Sequence, residues 1–295
     1  MKAVNKNKAD AILLSGGLDT SILAFMAKPK VAFTAALKDS QALDPLYAEK
    51  VSTSLRMEHK KKEFTVAEAL NILPEVIRIL KTFDLALPND LSIYFALRLA
   101  KENNVHSVLT GDGSDELFAG YSYMTKLSSK HLDRYIRELS QNWHFSSIDI
   151  GKALGIKVKQ PFLDDDFVRF ALDISSELKV KEGIGKYILR KSFENLIPAE
   201  IIWREKEPIE YGSGSNMLHK IISDMVPEEE FQLAKKRTGI AFINKEHCFY
   251  YHIYNEVVGE IPQARGNEIK CPCCGASMGK YHCRTCGYSQ PLSHS

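Results

Sequence analysis

The sequence lacks any long hydrophobic run. Its apolar stretches fall well short of the ~20 residues that a membrane-spanning helix requires. The basic N-terminus, MKAVNKNKAD, precedes an apolar run that is too short for a secretory signal peptide. Hydrophobic residues make up 44% and charged residues 26% of the chain, as in ordinary globular proteins. We therefore expect a cytoplasmic protein that does not contact a membrane.

Cysteine is scarce over most of the chain, which argues against a disulfide framework. Of its 6 cysteines, all but Cys248 lie in CPCCGASMGKYHCRTCG near the C-terminus. Two Cys-x2-Cys pairs, each followed by glycine, suit a tetrahedral zinc site of structural type, and their short spacer predicts a miniature zinc ribbon. The predicted zinc ligands are Cys271, Cys274, Cys283 and Cys286. We expect Cys248 to be a packed core thiol, and Cys273 or His282 to be a ligand only in a variant site.

Charge of one sign is not in excess, since the formal net charge is only +2. Residues 261–295 carry four basic residues against one acidic residue, and the rest of the chain is nearly neutral. A basic tail permits contact with RNA without establishing it. Residues 261–267, IPQARGN, are typical of a linker. We predict one domain over 1–260, and a linker with the zinc ribbon over 261–295.

Apolar runs alternate with amphipathic segments along the first 110 residues. These patterns predict strands at 11–14, 31–37, 63–66 and 105–110, and helices at 19–27, 46–57, 66–80 and 90–103. The basic run 59–62 is expected to form a solvated edge. Residues 128–259 are mostly helical in pattern. The alternation predicts an α/β fold, in which a parallel sheet carries helices on both faces and the second half of the domain is mostly helical.

Residues 14–21, LSGGLDTS, lie between the first predicted strand and the first predicted helix. Two glycines allow close approach of a ligand, and the helix start favours an anion such as phosphate. The lysine of the common nucleotide loop G-x-x-x-x-G-K-[ST] is missing. Ser15, Thr20 and Ser21 can add hydroxyl hydrogen bonds, and Asp19 can hold a bridging cation. An ordinary strand-to-helix turn with a Ser or Asp cap is the alternative.

A second cluster of glycine and acidic residues, GDGSDELFAGY at 111–121, follows the strand predicted at 105–110. Ligands of open parallel sheets collect at the carboxyl ends of the strands, so the two clusters can face one ligand. The alternative for Asp115 and Glu116 is a pair of acids favoured only by the positive end of a helix dipole.

Five segments together resemble the synthetase domain of asparagine synthetases, a family of PP-loop ATP pyrophosphatases. They are SGGLDTS at 15–21, LTGDGSDELFAGY at 109–121, QPFLDDDFVRFAL at 160–172, GKYILRKSF at 185–193 and IPAEIIWREKEPIEYGSG at 197–214. They follow one another in the family's order, and the resemblance extends from about residue 9 to about residue 258. It implies the PP-loop fold.

The resemblance also implies a reaction. ATP would be cleaved between its α and β phosphates, so that a substrate carboxylate forms an acyl-adenylate that a nitrogen nucleophile then attacks. Fixed N–H dipoles, hydroxyls and divalent cations suit a leaving group as charged as pyrophosphate. The residues expected to bind the pyrophosphate are Ser15, Gly16, Gly17, Thr20 and Ser21. Asp19 and Asp115 would hold Mg²⁺, with Glu116 beside them.

Four further positions match the family. Lys206, in WREKEP, would neutralise charge on the transferring phosphate, although composition alone favours a surface lysine. Asp112 would handle the proton of the amine, but this position is often glutamate in the family. The backbone of Leu13 and Gly111 would contact the adenosine. Other polar residues expected near the site, without assigned roles, are Ser107, Tyr121, Arg190 and Lys191.

The chain departs from complete asparagine synthetases near its start. Those enzymes carry a glutaminase domain whose nucleophile is an N-terminal cysteine, whereas position 2 here is Lys2. We therefore expect no glutamine hydrolysis by this chain, and an amine that is free ammonia, ammonia from a partner, another amine, or one already present in the substrate. The turn after the second strand also lacks a glycine common in the family, which leaves nucleotide contacts near Ala35 and Ala36 open.

Three classes of function are compatible with these patterns. The first is an ATP-dependent ligase that adenylates aspartate or a related acid for amide formation. The second is a PP-loop enzyme that adenylates a base of tRNA or another RNA for nitrogen or sulfur insertion, which the basic tail would suit. The third, a non-catalytic relative, is disfavoured because Ser15, Asp19, Asp115 and Lys206 are all present. A dimer is the expected oligomer.

Overall fold

The protein is described by a computed structural model over residues 1–290, and its centre is a parallel sheet of five strands within that range. The strands are β1 (Ala11–Leu13), β2 (Val31–Leu37), β3 (Glu58–Phe64), β4 (Ser107–Leu109) and β5 (Lys157–Lys159). Their order across the sheet is β3-β2-β1-β4-β5. The prediction of an α/β fold with a parallel sheet is confirmed.

Helices connect the strands and form most of the second half. Up to the second loop of the sheet they are α1 (Lys2–Lys6), α2 (Leu18–Ala27), α3 (Asp44–Ser54), α4 (Val66–Leu80), α5 (Leu87–Glu102) and α6 (Ser114–Phe118). The next are α7 (Ser129–Leu139), α8 (Ser146–Leu154), α9 (Asp165–Asp173), α10 (Ser176–Lys179) and α11 (Tyr187–Phe193). The last are α12 (Ala199–Ile202), α13 (Ile209–Gly212), α14 (Met217–Asp224), α15 (Glu228–Thr238) and α16 (Lys245–Val257). None of the helices within residues 1–290 is long and apolar enough to cross a membrane.

The sheet is covered on both faces because side chains alternate along each strand. In β1, Ala11 packs into one hydrophobic cluster and Ile12 into the other. Phe33 and Ala32 of β2 divide in the same way. Helices α4, α5, α8, α14 and α16 contribute to the first cluster, while α2, α3, α6, α9, α11 and α12 contribute to the second.

The predicted bounds of the third strand are wrong. The strand is Glu58–Phe64 rather than 63–66, and the basic run 59–62 lies within it, paired with β2 from Val31↔Glu58 to Leu37↔Phe64. Lysines suit an edge strand because they keep it hydrated and discourage pairing with other chains. The strand stops where the Thr65 side chain caps α4 in a reciprocal pair with Glu68.

Two elements were missed by the sequence patterns. Strand β5, Lys-Val-Lys, is three residues long and pairs with β4, and α1 precedes the first strand. Neither segment is long enough to display a clear hydrophobic period.

The C-terminal tail lies against the domain. Its four clustered cysteines are buried in the same hydrophobic cluster as Phe83 and Tyr254. Backbone hydrogen bonds join the two parts, from Phe83 N to the Thr285 carbonyl at 2.9 Å and from Ala241 N to the Cys273 carbonyl at 3.0 Å.

Candidate active site

The loop between β1 and α2 is shaped by Gly16, whose φ is +69°. A Cβ at this position would lie 2.3 Å from the backbone of Tyr47, so only glycine fits. Ser15 Oγ accepts a hydrogen bond from Gly17 N and lies 3.2 Å from Thr20 Oγ1. The loop thus leads into the first turn of a ten-residue helix, where free N–H groups and the helix dipole favour an anion.

The loop after β4 packs directly on this helix. A Cβ on Gly111 would lie 3.0 Å from Asp19 Cβ, and Ser114 Oγ donates a hydrogen bond of 2.6 Å to Asp19 Oδ1. Leu13, at the end of β1, and Gly111, just beyond β4, occupy the same edge of the sheet because the strands are parallel. The structure therefore brings together the two clusters that are about 95 residues apart in the sequence.

Asp19 and Asp115 meet at a buried lysine that sequence reasoning missed. Lys186 Nζ lies 2.5 Å from Asp19 Oδ2 and 2.7 Å from Asp115 Oδ1, and its side chain is 3% exposed. Gly120 makes room for this pair, because a Cβ there would lie 1.8 Å from Asp115 Oδ1. Lys186 belongs to the segment GKYILRKSF, so its motif was visible in the sequence, but its partners are 71 and 167 residues away.

Lys206 contacts the other oxygen of the Asp115 carboxylate. Its Nζ lies 2.7 Å from Asp115 Oδ2, and its side chain is 35% exposed. Burial pushes the pKa of Asp115 upward, but the charges of Lys186 and Lys206 outweigh it and hold that pKa well below its usual range. Burial alone would lower the pKa of Lys186, but the charges of Asp115 and Asp19 outweigh burial, and the pKa of Lys186 is raised. These four groups form a cluster of two carboxylates and two ammonium groups.

Glu116 lies beside this cluster, and only one of its two carboxylate oxygens has a hydrogen-bond partner within residues 1–290. Its Oε1 accepts a hydrogen bond of 2.6 Å from the Tyr121 hydroxyl, whereas its buried Oε2 has no partner within residues 1–290. Burial, followed by the charge of Asp115, raises the pKa of Glu116 to about 6. An unpartnered carboxylate oxygen near two aspartates is a donor suited to a hard cation.

Asp112 is fixed by three donors on one oxygen. Its Oδ2 accepts hydrogen bonds from Thr110 Oγ1 at 2.6 Å, Ser147 Oγ at 2.6 Å and Gln160 Nε2 at 2.8 Å. Thr110 and Gln160 directly follow β4 and β5, so this carboxylate lies at the same edge of the sheet as the loop between β1 and α2.

Two arginines anchor the loop that carries Lys206. The Arg190 guanidinium donates to the carbonyls of Ile202 at 2.5 Å and Arg204 at 3.0 Å. Arg204 lies over the Tyr47 ring at 4.0 Å and reaches Asp44 Oδ1 at 3.3 Å. Burial raises the pKa of Asp44 to about 7, although Arg204 opposes the shift. Since α11 carries Arg190 and directly follows Lys186, one element positions both lysine segments.

Two residues expected near the site lie elsewhere. Ser107 begins β4, at the opposite end of the strand, and its hydroxyl donates to Asp10 at 2.8 Å. Lys191 pairs on the surface with Glu194 at 2.6 Å. Ser21, in contrast, lies within the first turn of α2, and its hydroxyl is buried without a partner within residues 1–290.

The cysteines form a separate group in the tail. The four predicted ligands have sulfur atoms that all lie within 4.8 Å of one another, with Cys271 and Cys286 at 3.6 Å and Cys274 and Cys283 at 3.8 Å. Zn–S bonds of about 2.3 Å in a tetrahedron put sulfurs about 3.8 Å apart, so the group fits zinc. Cys273 is not one of the four clustered sulfurs, and its sulfur lies 3.3 Å from the Ala241 carbonyl.

Comparisons with known proteins agree on one family. A model of the asparagine synthase family matches residues 9–146 and 140–248. A probable glutamine-hydrolysing asparagine synthetase of Schizosaccharomyces pombe is 31% identical over 290 residues, covering 83% of this chain and 52% of that protein. The asparagine synthetases of Bos taurus and Homo sapiens are 32% and 34% identical over 82% and 74% of this chain, and over 48% and 42% of their own length. The chain thus spans about half the length of these relatives.

Among solved structures, the structure of NMN synthetase from Francisella tularensis is a weak match. The TM-score is 0.31 and the identity 16%, over 74% of this chain and 92% of that one. A score this low adds nothing to the assignment of the fold or the function.

Proposed function

The chain belongs to the asparagine synthase family, and we propose that it is an ATP-dependent carbon–nitrogen ligase that releases AMP and pyrophosphate. The observation that carries this proposal is the meeting of Asp19, Asp115 and Lys186 directly beside the phosphate loop. The loops after β1 and β4 place Asp19 and Asp115 at one edge of the sheet, where nucleotides bind in folds of this class, and Lys186 reaches them from the start of α11.

Pyrophosphate is proposed to bind at the start of α2. Ser15, Gly17 and Thr20 offer backbone N–H and hydroxyl groups there, and Gly16 allows the loop its conformation. Asp19 and Asp115 would hold Mg²⁺ through the oxygens that do not contact Lys186, Asp19 Oδ1 and Asp115 Oδ2, the second of which is vacated when Lys206 moves to a phosphate oxygen. The unpartnered Oε2 of Glu116, the next residue after Asp115, is a further oxygen suited to a hard cation. Bound Mg²⁺ would neutralise phosphate charge as the leaving group departs.

Lys186 and Lys206 are proposed to play different parts. Lys186 is buried between two carboxylates, so it fixes their spacing and contributes a permanent positive charge. Lys206 is more exposed, and its flexible side chain can move from Asp115 to a phosphate oxygen. Such a positioned cation stabilises charge that develops during phosphoryl transfer.

The proposed chemistry has two steps. A carboxylate oxygen of the substrate attacks the α-phosphorus, the bond from that phosphorus to pyrophosphate breaks, and an acyl-adenylate forms. A nitrogen nucleophile then attacks the acyl carbon, AMP leaves, and the amine loses a proton. Asp112 is the proposed acceptor of that proton, since three hydrogen bonds to Oδ2 hold the carboxylate in place.

Aspartate or a related acid is the proposed substrate, with ammonia or another amine as the nitrogen source. The domain division at residue 260 remains a proposal, as does structural zinc in the tail, which the spacing of the four sulfurs supports. Thiolates held by zinc suit a reducing compartment, and we propose a cytoplasmic location.

Release of pyrophosphate from ATP tests the proposal. The purified chain is assayed with aspartate plus ammonium, with bulk tRNA, and with ATP alone. Release that depends on aspartate supports the ligase. Release that depends on tRNA instead supports an enzyme acting on RNA, and failure of both substrates contradicts the proposed activity. Lys206→Ala and the surface variant Lys191→Ala form the matched pair, because only the first should lose activity.

A further inference from the structure

The C-terminal tail contacts α7 through Tyr281 and its neighbour Lys280. The Tyr281 hydroxyl and Lys280 Nζ both contact the carboxylate of Glu138, the lysine at 2.7 Å. The Tyr281 ring also packs edge-on against Tyr135, with centroids 5.1 Å apart and planes at 74°. Since Tyr281 lies between the two cysteine pairs, the fold of the cysteine site determines where this ring sits.

From Tyr135 a row of aromatic rings continues toward the active site. Tyr135 contacts Tyr123 edge-on at 6.2 Å, and their hydroxyl oxygens are 3.3 Å apart. Tyr123 in turn stacks on Tyr121 at 5.6 Å with planes only 5° apart. We name Tyr281, Tyr135, Tyr123 and Tyr121 the tyrosine row.

The row ends on two groups of the active site. The Tyr121 hydroxyl donates a hydrogen bond of 2.6 Å to Glu116 Oε1, and Lys206 Nζ lies 5.8 Å from the centre of the Tyr121 ring. A cation over an aromatic face is attracted to it, so the ring helps to fix Lys206 as well.

The segment that carries Tyr121 and Tyr123 has little regular structure of its own. Between α6 and α7 it contains one short 3₁₀ turn, Met124–Lys126. It is supported by a small hydrophobic cluster in which Met124 and Tyr135 are buried, and Tyr121 and Tyr281 pack against that same cluster. The tail and the loop that carries Tyr121 and Tyr123 therefore pack against the same hydrophobic cluster.

We propose that the tail is a positioning element of the active site, and that Tyr281 acts through the tyrosine row to hold Tyr121, and with it Glu116 and Lys206, in place. The inference rests on the proposed function for its catalytic consequence but not for its structural one. Two of the four basic residues of the tail already contact the chain's own domain, Lys280 at Glu138 and Arg284 at the Asn142 carbonyl. These contacts support a role of the tail within its own chain.

Amide hydrogen exchange of residues 119–128 tests the structural part without any assay of activity. Tyr281→Leu should speed exchange there by about 2-fold to 12-fold, the range expected for the loss of one edge-on aromatic pair. Tyr281→Phe keeps the ring and should restore slow exchange. Arg265→Ala, an exposed change in the same tail, is the matched control.

Kinetics test the catalytic part. In Tyr281→Leu, kcat for pyrophosphate release should fall severalfold while KM for ATP changes little, and Tyr281→Phe should recover most of it. Zinc content shows whether the variant tail is still folded. If Tyr281→Leu loses zinc, Glu138→Ala decides instead, because it removes both contacts to the tail, from the Tyr281 hydroxyl and from Lys280, whereas Tyr281→Phe removes only the first.

Unchanged exchange in residues 119–128, in a variant that retains zinc, overturns the inference. Faster exchange with unchanged kcat overturns its catalytic part alone. A wild-type chain that releases no pyrophosphate would overturn the proposed function and leave the exchange result to be judged separately.

Discussion

Replacing Lys186 with methionine removes the buried cation between Asp19 and Asp115. The ammonium lies 2.5 Å and 2.7 Å from the two carboxylates, and 3% of its side chain is exposed. Removing one partner of a buried ion pair costs about 3–5 kcal/mol, because the other charge is left buried without compensation. Since Lys206 still contacts Asp115, we expect the lower end of this range, about 3 kcal/mol, in the free energy of unfolding at pH 7.5.

The loss should depend on pH. Burial acts against the Asp115 carboxylate, but Lys186 and Lys206 outweigh it, so the pKa of Asp115 in the folded protein lies below its unfolded value. A lowered pKa contributes stability that is complete above the unfolded pKa, about 4, and is lost as the pH falls through the folded pKa. In the variant, protonation of one carboxyl relieves repulsion as the pH falls. The difference between the two proteins should therefore be largest near pH 7 and shrink toward pH 4.

Urea unfolding in magnesium-free buffer measures both effects. Lys191→Met is the control, because Lys191 is 43% exposed and pairs with Glu194 on the surface, where such pairs contribute less than about 1 kcal/mol. An unfolding free energy of Lys186→Met within about 1 kcal/mol of this control at pH 7.5 would contradict the expected contribution of the buried ion pairs.

Three other predictions follow from the same geometry. Lys206→Ala should lower kcat for pyrophosphate release by about 10²–10³-fold and change the free energy of unfolding by less than about 1 kcal/mol. A large loss of stability that accompanies the loss of kcat would contradict the proposed catalytic role of Lys206. Because burial and Asp115 raise the pKa of Glu116 to about 6, its charge opposes folding at high pH, so Glu116→Gln should gain about 2 kcal/mol at pH 8 and nothing at pH 4 in urea unfolding. Equal gains at both values would refute this. Elemental analysis should find one zinc per chain, lost in Cys274→Ser and kept in Cys273→Ser; retention in both would remove Cys274 from the ligand set.

The sheet and the loop between β1 and α2 could be predicted because their signals are local. The run Ala11–Leu13 is apolar, the glycines that follow mark a turn, and Asp19 lies in the first turn of a helix. Parallel topology then requires the loop after β4 to lie at the same edge. No distant contact has to be known for these steps.

Lys186 could not be identified in this way. In the sequence it is one lysine among 39 basic residues, and its role emerges only when Asp19 and Asp115 arrive from distant segments. The same holds for β5, which is a strand because β4 offers it an edge. The tail was predicted from cysteine spacing, but spacing does not reveal that Tyr281 contacts Tyr135.

The central claim is that the loops after β1 and β4 bind one ATP molecule and that its β and γ phosphates leave together as pyrophosphate. The products of ATP turnover test this claim most directly. Phosphorus NMR of the reaction with aspartate and ammonium identifies these products without a coupled enzyme. We predict AMP and pyrophosphate in equal amounts. Formation of ADP and inorganic phosphate would contradict it.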